Sequence, residues 1–321
     1  MTTYFAQTNL VSDTAFFGAA HLDPLLANAW GIAFGSSGKP WIAANHGNVS
    51  TIYDSNGVSS PALASVTIPS PGATTGGAPS GAVFNGSSVS TDFGGNKFIF
   101  STEDGTIVGW KSGPAATIVS DSSGSKAVFK GLAIVPSAGQ IYATDFHNNV
   151  VVVYDKNFAV VKTFTDASVP ANYGAFGIQN IHDTLYVTFA RQKVGAGDDS
   201  SDLGIGFVDR FLPNGTQIGG HFASGGTLNS PWGIALAPST YGQYANAILI
   251  GNFGDGMITG FTSSGTMIGQ FKMNSTSSVV IKGLWAISFN PVAGTDQNKL
   301  FFTAGPFDED HGLFGYLTMV P

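Results

Sequence analysis

The sequence predicts an all-β fold, a six-bladed β-propeller with four antiparallel strands per blade and the ring closed by the N-terminal strand. Three observations lead there: a composition short of helix formers, an apolar segment built around glycine that recurs six times, and a spare strand at the N-terminus where the last repeat is one short. The 321 residues include 43 Gly and 18 Asp but only two Glu, Glu103 and Glu309. Gly and Asp are poor helix residues, so a helical bundle is excluded. With 43% of its residues hydrophobic the chain buries a sizeable core, which excludes disorder.

The glycine-centred segments read Trp30-Gly31-Ile32-Ala33, Ser80-Gly81-Ala82-Val83, Lys130-Gly131-Leu132-Ala133, Phe176-Gly177-Ile178, Trp232-Gly233-Ile234-Ala235 and Lys282-Gly283-Leu284-Trp285. Their glycines lie 50, 50, 46, 56 and 50 residues apart, the period of a propeller blade. Each segment is followed by a β-branched or aromatic run, such as Trp41-Ile42-Ala43 or Ile248-Leu249-Ile250. A third strand then ends in Tyr53, Trp110, Tyr154, Phe211, Phe261 or Tyr316, and turn signals such as Pro213-Asn214-Gly215 lead to a fourth. Too little chain follows Tyr316 for another strand, whereas residues 5–11 precede the first repeat. They are expected to complete the last blade, which removes an exposed sheet edge. No linker or composition shift divides residues 1–321, which are read as one domain.

Charge and composition exclude several functions. A formal charge of −7, two Arg and no Lys/Arg run lack the basic footprint that nucleic acid demands. No run of about 18 apolar residues is present, so no membrane span is expected. Without cysteine there are no disulfides, thiolate metal sites or thiol nucleophiles. Neither a Gly-x-Ser-x-Gly elbow nor a phosphate-binding loop occurs.

Within a blade, the turn from the second to the third strand and the link to the next blade share one face. The second-to-third connections carry Asn45-His46, Glu103-Asp104, Asp145-Phe146-His147, Arg191-Gln192-Lys193, Asn252-Phe253-Gly254-Asp255 and Asp308-Glu309-Asp310-His311. Asn and Asp serve turns anywhere, but Glu103, Arg191 and His311 are not turn formers. Oxygen ligands on this face suit a hard divalent cation, calcium first, held by Glu103, Asp145, Asn252 and Asp255. A zinc on His46, His147 and His311 would need all three rings to point inward. Glu103, Asp104 and His311 are the candidate proton-moving groups, since the adjacent carboxylates raise each other's proton affinity unless a cation or donor intervenes. Trp30, Trp232 and Trp285, on the innermost strands, are either packing residues or stacking surfaces, and with Arg191, Asn252 and Phe253 they form the expected ligand-binding set. The stretch Asp198-Asp199-Ser200-Ser201-Asp202, within residues 191–203, reads as a solvated insertion or a lid.

Several of these residues carry a family resemblance. Asn28-x-Trp30-Gly31, Thr102-Glu103-Asp104-Gly105, Lys130-Gly131-Leu132-Ala133, Pro231-Trp232-Gly233, Gly251-Asn252-Phe253-Gly254-Asp255-Gly256 and Thr303-Ala304-Gly305-Pro306 make the chain resemble, nearly end to end, a family of secreted bacterial β-propellers related to NHL-repeat proteins. Some of its members end in a PEP-CTERM sorting tail, which this chain lacks. The resemblance implies export, with the leader removed from the mature chain, and no assigned activity. At the level of fold the chain is also similar to six-bladed lactonases, which hold a divalent cation at the channel mouth. Two functions therefore stay open: a monomeric binding module for a small molecule, glycan or protein at that mouth, or a metal-dependent hydrolase or lyase using the same face. A third is a structural matrix component.

Overall fold

Short β-branched and aromatic runs separated by Gly, Asn and Asp turns fold here into six four-stranded antiparallel sheets. A computed structural model describes residues 2–195, 197–201 and 204–320; Asp202 and Leu203, at the end of the 191–203 insertion, lie outside them. Blade 1 runs from its inner strand Ala29–Phe34 through Pro40–Ala44 and Val49–Ile52 to Ser65–Thr67. The inner strands of the next four blades are Pro79–Phe84, Phe129–Val135, Tyr173–Ile181 and Pro231–Leu236. Blade 6 comprises Leu284–Phe289, Leu300–Ala304 and Leu313–Val320, and its fourth strand is the N-terminal Tyr4–Ser12, paired antiparallel with the last strand of the chain. The expected closure is thus present, with a short parallel strand, His21–Leu22, on its outer edge. Inner strands of successive blades pack side by side, the sixth against the first, to make the ring.

Every inner strand slips register against its second strand next to the repeated glycine. This bulge pushes the glycine against the next blade: a Cβ on Gly177 would stand 2.1 Å from the Trp232 carbonyl oxygen. Only a residue without a side chain fits that approach. Blade 6 corrects the repeat as read from sequence. Its member at this position is Ala286, within Leu284-Trp285-Ala286-Ile287, whereas Gly283 precedes the strand at φ +66 and shapes the entering turn.

Hydroxyl groups on the second strands fix the bulges. The amides of Gly81, Gly131, Gly177 and Ala286 donate to Ser101, Thr144, Thr188 and Thr303. Thr144 in turn donates to the Phe176 carbonyl of the following blade at 2.6 Å, and Thr303 to the Trp30 carbonyl across the ring closure. Apolar clusters fill the wedges between blades, for example Phe5, Tyr241, Tyr244 and Phe271 between blades 5 and 6. Each such side chain stabilises the ring by about 1.5–3 kcal/mol on burial.

Candidate functional site

The residue before each bulge sits at the upper end of the channel, where the second-to-third connections lie. Reading round the ring these are Trp30, Ser80, Lys130, Phe176, Trp232 and Trp285. The aromatic members close the channel: Trp30 and Trp285 stack with centroids 3.8 Å apart, and Trp232 meets Trp285 edge-on at 5.7 Å. Lys130 breaks the pattern. Its side chain is 2% exposed, with Nζ 4.8 Å from the centre of the Trp30 ring and 2.5 Å from Glu103 Oε1. Burial pulls the ammonium's proton affinity down, but Glu103 outweighs burial and holds Lys130 above the ordinary lysine range.

Polar groups extend from this pair. Asn45 Nδ2 donates to Glu103 Oε2 at 2.8 Å. Asn28 accepts from the indole N–H groups of both Trp30 and Trp285 at 2.7 and 3.0 Å, and donates to Glu309 Oε2 at 2.7 Å. Glu309 reaches this position through three successive non-glycine residues in left-handed conformation, Phe307 (φ 57), Asp308 (φ 53) and Glu309 itself (φ 70). Such backbone costs of order 1–3 kcal/mol per residue and concentrates at functional sites. Burial raises the Glu309 carboxyl to about 7, against the opposing charge of Lys130.

Beside this loop lies a cavity of about 530 Å³ lined by Phe16, Phe17, Phe253, Lys282, Pro306, Phe307 and Asp308. Phe253 forms its inner wall, stacked on Trp285 at 4.1 Å. Phe16 and Phe307 are 72% and 54% exposed, with their rings in edge contact. The lower channel end holds a cavity of similar size, about 520 Å³, lined among others by Gln179, Asn180, His182, Leu236, Ser288 and Phe289 and, among the described residues, by no Asp, Glu, Lys or Arg.

The residues expected from sequence are only partly gathered. Glu103, Asp145, Asn252, Asp255 and His311 all lie on, or at the edge of, second-to-third connections, but Asp145 and Asn252 are absorbed by their own turns: Asp145 accepts from Asn148, and Asn252 donates to Asp255. Among the described residues Glu103, Asp145 and Asp255 form no group of three converging candidate ligands. Lys130, a cation supplied by the chain, instead stands against Glu103. The carboxylates of Glu103 and Asp104 part, Asp104 accepting from the Ala78 amide at 2.8 Å. His311 Nδ1 meets Asp13 at 2.9 Å and ties the N-terminal segment to blade 6, while His46 is exposed. Trp30 and Trp285 are fully buried, and Trp232 donates to the Lys130 carbonyl. Arg191 bonds Ser200 within the long insertion, whose described ends are drawn together by the Ser200 amide on the Arg191 carbonyl. Asp198 there is shared by Lys193 at 2.7 Å and Lys130 at 4.0 Å. Desolvation opposes ionisation of Asp198, but these two lysines hold its carboxyl below the usual range.

Lys130, Asn28 and Glu309 were not among the expected site residues. A signal existed for Lys130: it is the one charged member of a ring otherwise made of Trp, Phe and Ser.

No family model matches the chain. Uncharacterized protein R648 of Acanthamoeba polyphaga mimivirus is 33% identical over 316 residues, which cover 92% of this chain and 76% of R648. The chain belongs to the same family as R648. Uncharacterized protein L690 of the same virus is 29% identical over 316 residues, 93% of this chain and 82% of L690. The chain is also similar to two solved structures. Streptogramin B lyase superposes with a TM-score of 0.59 at 13% identity, covering 99% of this chain and 98% of that one. An inactive virginiamycin B lyase from Staphylococcus aureus with quinupristin gives 0.59 at 16% identity, covering 92% and 81%. At these identities the likeness shows the shared propeller fold.

Proposed function

We propose that the protein is a small-molecule-binding β-propeller whose site is the upper channel mouth. The observation that carries this reading is the left-handed run Phe307-Asp308-Glu309 beside the aromatic-walled cavity. The cavity has the volume typical of small-molecule sites. Phe16, Phe17, Phe253 and Phe307 take the ligand's apolar body, and Glu309, next in the chain to the lining residues Phe307 and Asp308 and held by Asn28, addresses a hydrogen-bond donor or cationic group at the cavity's edge. A glycan or protein ligand at the same mouth would use the exposed rims of Phe16 and Phe307. Action as a monomer and outside the cell belong to the same proposal, supported by closure of the ring within one chain and by the resemblance to secreted propellers; size-exclusion chromatography and cell fractionation test them.

The decisive experiment is calorimetry with fragments sorted into aromatic amines, aromatic carboxylates, neutral aromatics and oligosaccharides. Aromatic amines should bind best, and both Phe307→Ala and Glu309→Gln should weaken them at least tenfold. Binding that neither substitution touches overturns the reading.

A second reading, lyase or hydrolase chemistry, is favoured by one observation: a Glu309 carboxyl raised to about 7 suits general acid–base work near neutrality. The likeness to streptogramin B lyase supports the same class. A divalent cation on Glu103 would have to share the carboxylate with Lys130. Turnover of a ligand found by calorimetry, abolished in Glu309→Gln, would establish this reading, and binding without turnover would leave the binding module.

A further inference from the structure

Away from the channel, where the link into blade 4 meets that blade's outer half, three ligand-type side chains converge. Asp166 comes from the link, Asp209 from the third strand Gly206–Phe211, and His221 from the connection that follows it. Their ligand atoms lie within 4.8 Å of one another, the only such group of His, Asp and Glu among the described residues. The side chains of Asp166 and Asp209 are 2% and 0% exposed, whereas His221 is 26% exposed and leaves a path from solvent.

Two buried carboxylates side by side repel each other and need a compensating cation or proton. Hydrogen bonds satisfy only part of the set. Asp166 is held by the amide and hydroxyl of Ser168, both at 2.7 Å, and by the Gln217 side chain. His221 Nδ1 is 2.8 Å from Asp209 Oδ1. Asp209 Oδ2, fully buried, meets no donor group, and the carboxylate beside Asp209 is that of Asp166. A buried carboxylate oxygen without a donor costs free energy unless a cation or a shared proton reaches it.

We propose that Asp166, Asp209 and His221 form a zinc site that clamps the entry link of blade 4 to its third strand. The geometry suits the ion: His221 Nδ1 stands 2.8 Å from Asp209 and 3.7 Å from Asp166, on either side of the ~3.3 Å between ligand atoms of tetrahedral zinc with bonds of about 2.0–2.1 Å. One imidazole with two carboxylates is a mixed nitrogen and oxygen set, which favours zinc over calcium with its six to eight oxygen ligands. The Ser168 and Gln217 bonds fix Asp166 in the manner of outer-shell partners. Water would complete the tetrahedron, reaching the ion past the partly exposed His221.

The test uses the full chain, stripped with EDTA and titrated with zinc or calcium, read by native mass spectrometry and by melting temperature. One zinc per chain is expected, with a melting temperature that climbs with free zinc and does not respond to calcium. His221→Ala, at a partly exposed position, should fold and lose zinc affinity at least tenfold; Asp209→Asn should lose it as well. Three results overturn the site. One is no stoichiometric zinc, another is zinc retained in His221→Ala. The third is an Asp209→Asn variant more stable than a zinc-indifferent wild type, which would mean that a shared proton balances the two carboxyl groups.

Discussion

The two ends of the channel hold cavities of nearly equal size, about 530 Å³ above and 520 Å³ below, yet they differ in almost everything else. The lower cavity is lined by the ends of inner strands and the turns that follow them, with side chains such as Gln179, Asn180, Leu236 and Phe289. At the upper end an aromatic plug surrounds a buried ammonium paired with Glu103, Glu309 is held by Asn28 of another blade, and three consecutive residues are held left-handed. Volume alone is a by-product of ring geometry. What distinguishes the upper end is that its residues are costly for folding and persist only because the surrounding blades over-determine them.

Breaking that end should therefore hurt far more than breaking the other. Lys130→Met leaves Glu103 with Asn45 but without its cation and should cost about 3–5 kcal/mol, read as a lower urea midpoint; adding Glu103→Gln should recover part of the loss. Ser288→Ala at the lower end should stay within about 0.5 kcal/mol. If the two single variants lose equally, the contrast between the ends is not energetic.

Gly177→Ala probes the bulge belt between the two ends. Its Cβ would fall on the Trp232 carbonyl, so about 1–3 kcal/mol of overpacking is expected, and a neutral melting temperature would show that the belt yields.

The pH dependence sharpens the comparison further. Because the folded carboxyl of Glu309 is raised from 4.5 to about 7, the folded state binds the extra proton, and this group's contribution is fully present below 4.5 and lost as pH climbs through 7. Glu309→Gln should flatten the fall in stability over that window; an unchanged slope would assign it to other groups.

The smallest effect is local. Phe253→Ala uncovers Trp285, so tryptophan emission should shift red and quench more readily with acrylamide, while Phe289→Ala below leaves the emission unchanged. Equal spectra would place Phe253 outside the plug.

The blades were legible in the sequence because strand alternation and turn chemistry are local and the repeat restates them six times. Pairing of residues 5–11 with the last strand followed from counting strands. The register of blade 6 did not, since Lys282-Gly283 imitates Lys130-Gly131 and the true member, Ala286, lacks the glycine. That imitation also hid Lys130 as the one charge in a ring of aromatics. Glu103 was singled out by its rarity, but its partner comes from the next blade's inner strand. The aim of Glu309 depends on Phe307 and Asp308 adopting left-handed backbone, which no propensity of theirs announces. Asp166, Asp209 and His221 come from separate segments with no spacing rule to join them.

Selective labelling with ¹³C-glutamate tests the central claim most directly, because a chain with two Glu gives two side-chain carboxyl resonances. The resonance that disappears in Glu309→Gln should titrate with a midpoint at about 7, as expected of a carboxyl buried at the channel mouth. A midpoint at the ordinary 4.5 would mean that Glu309 stands in water, and would contradict the upper end as the functional site.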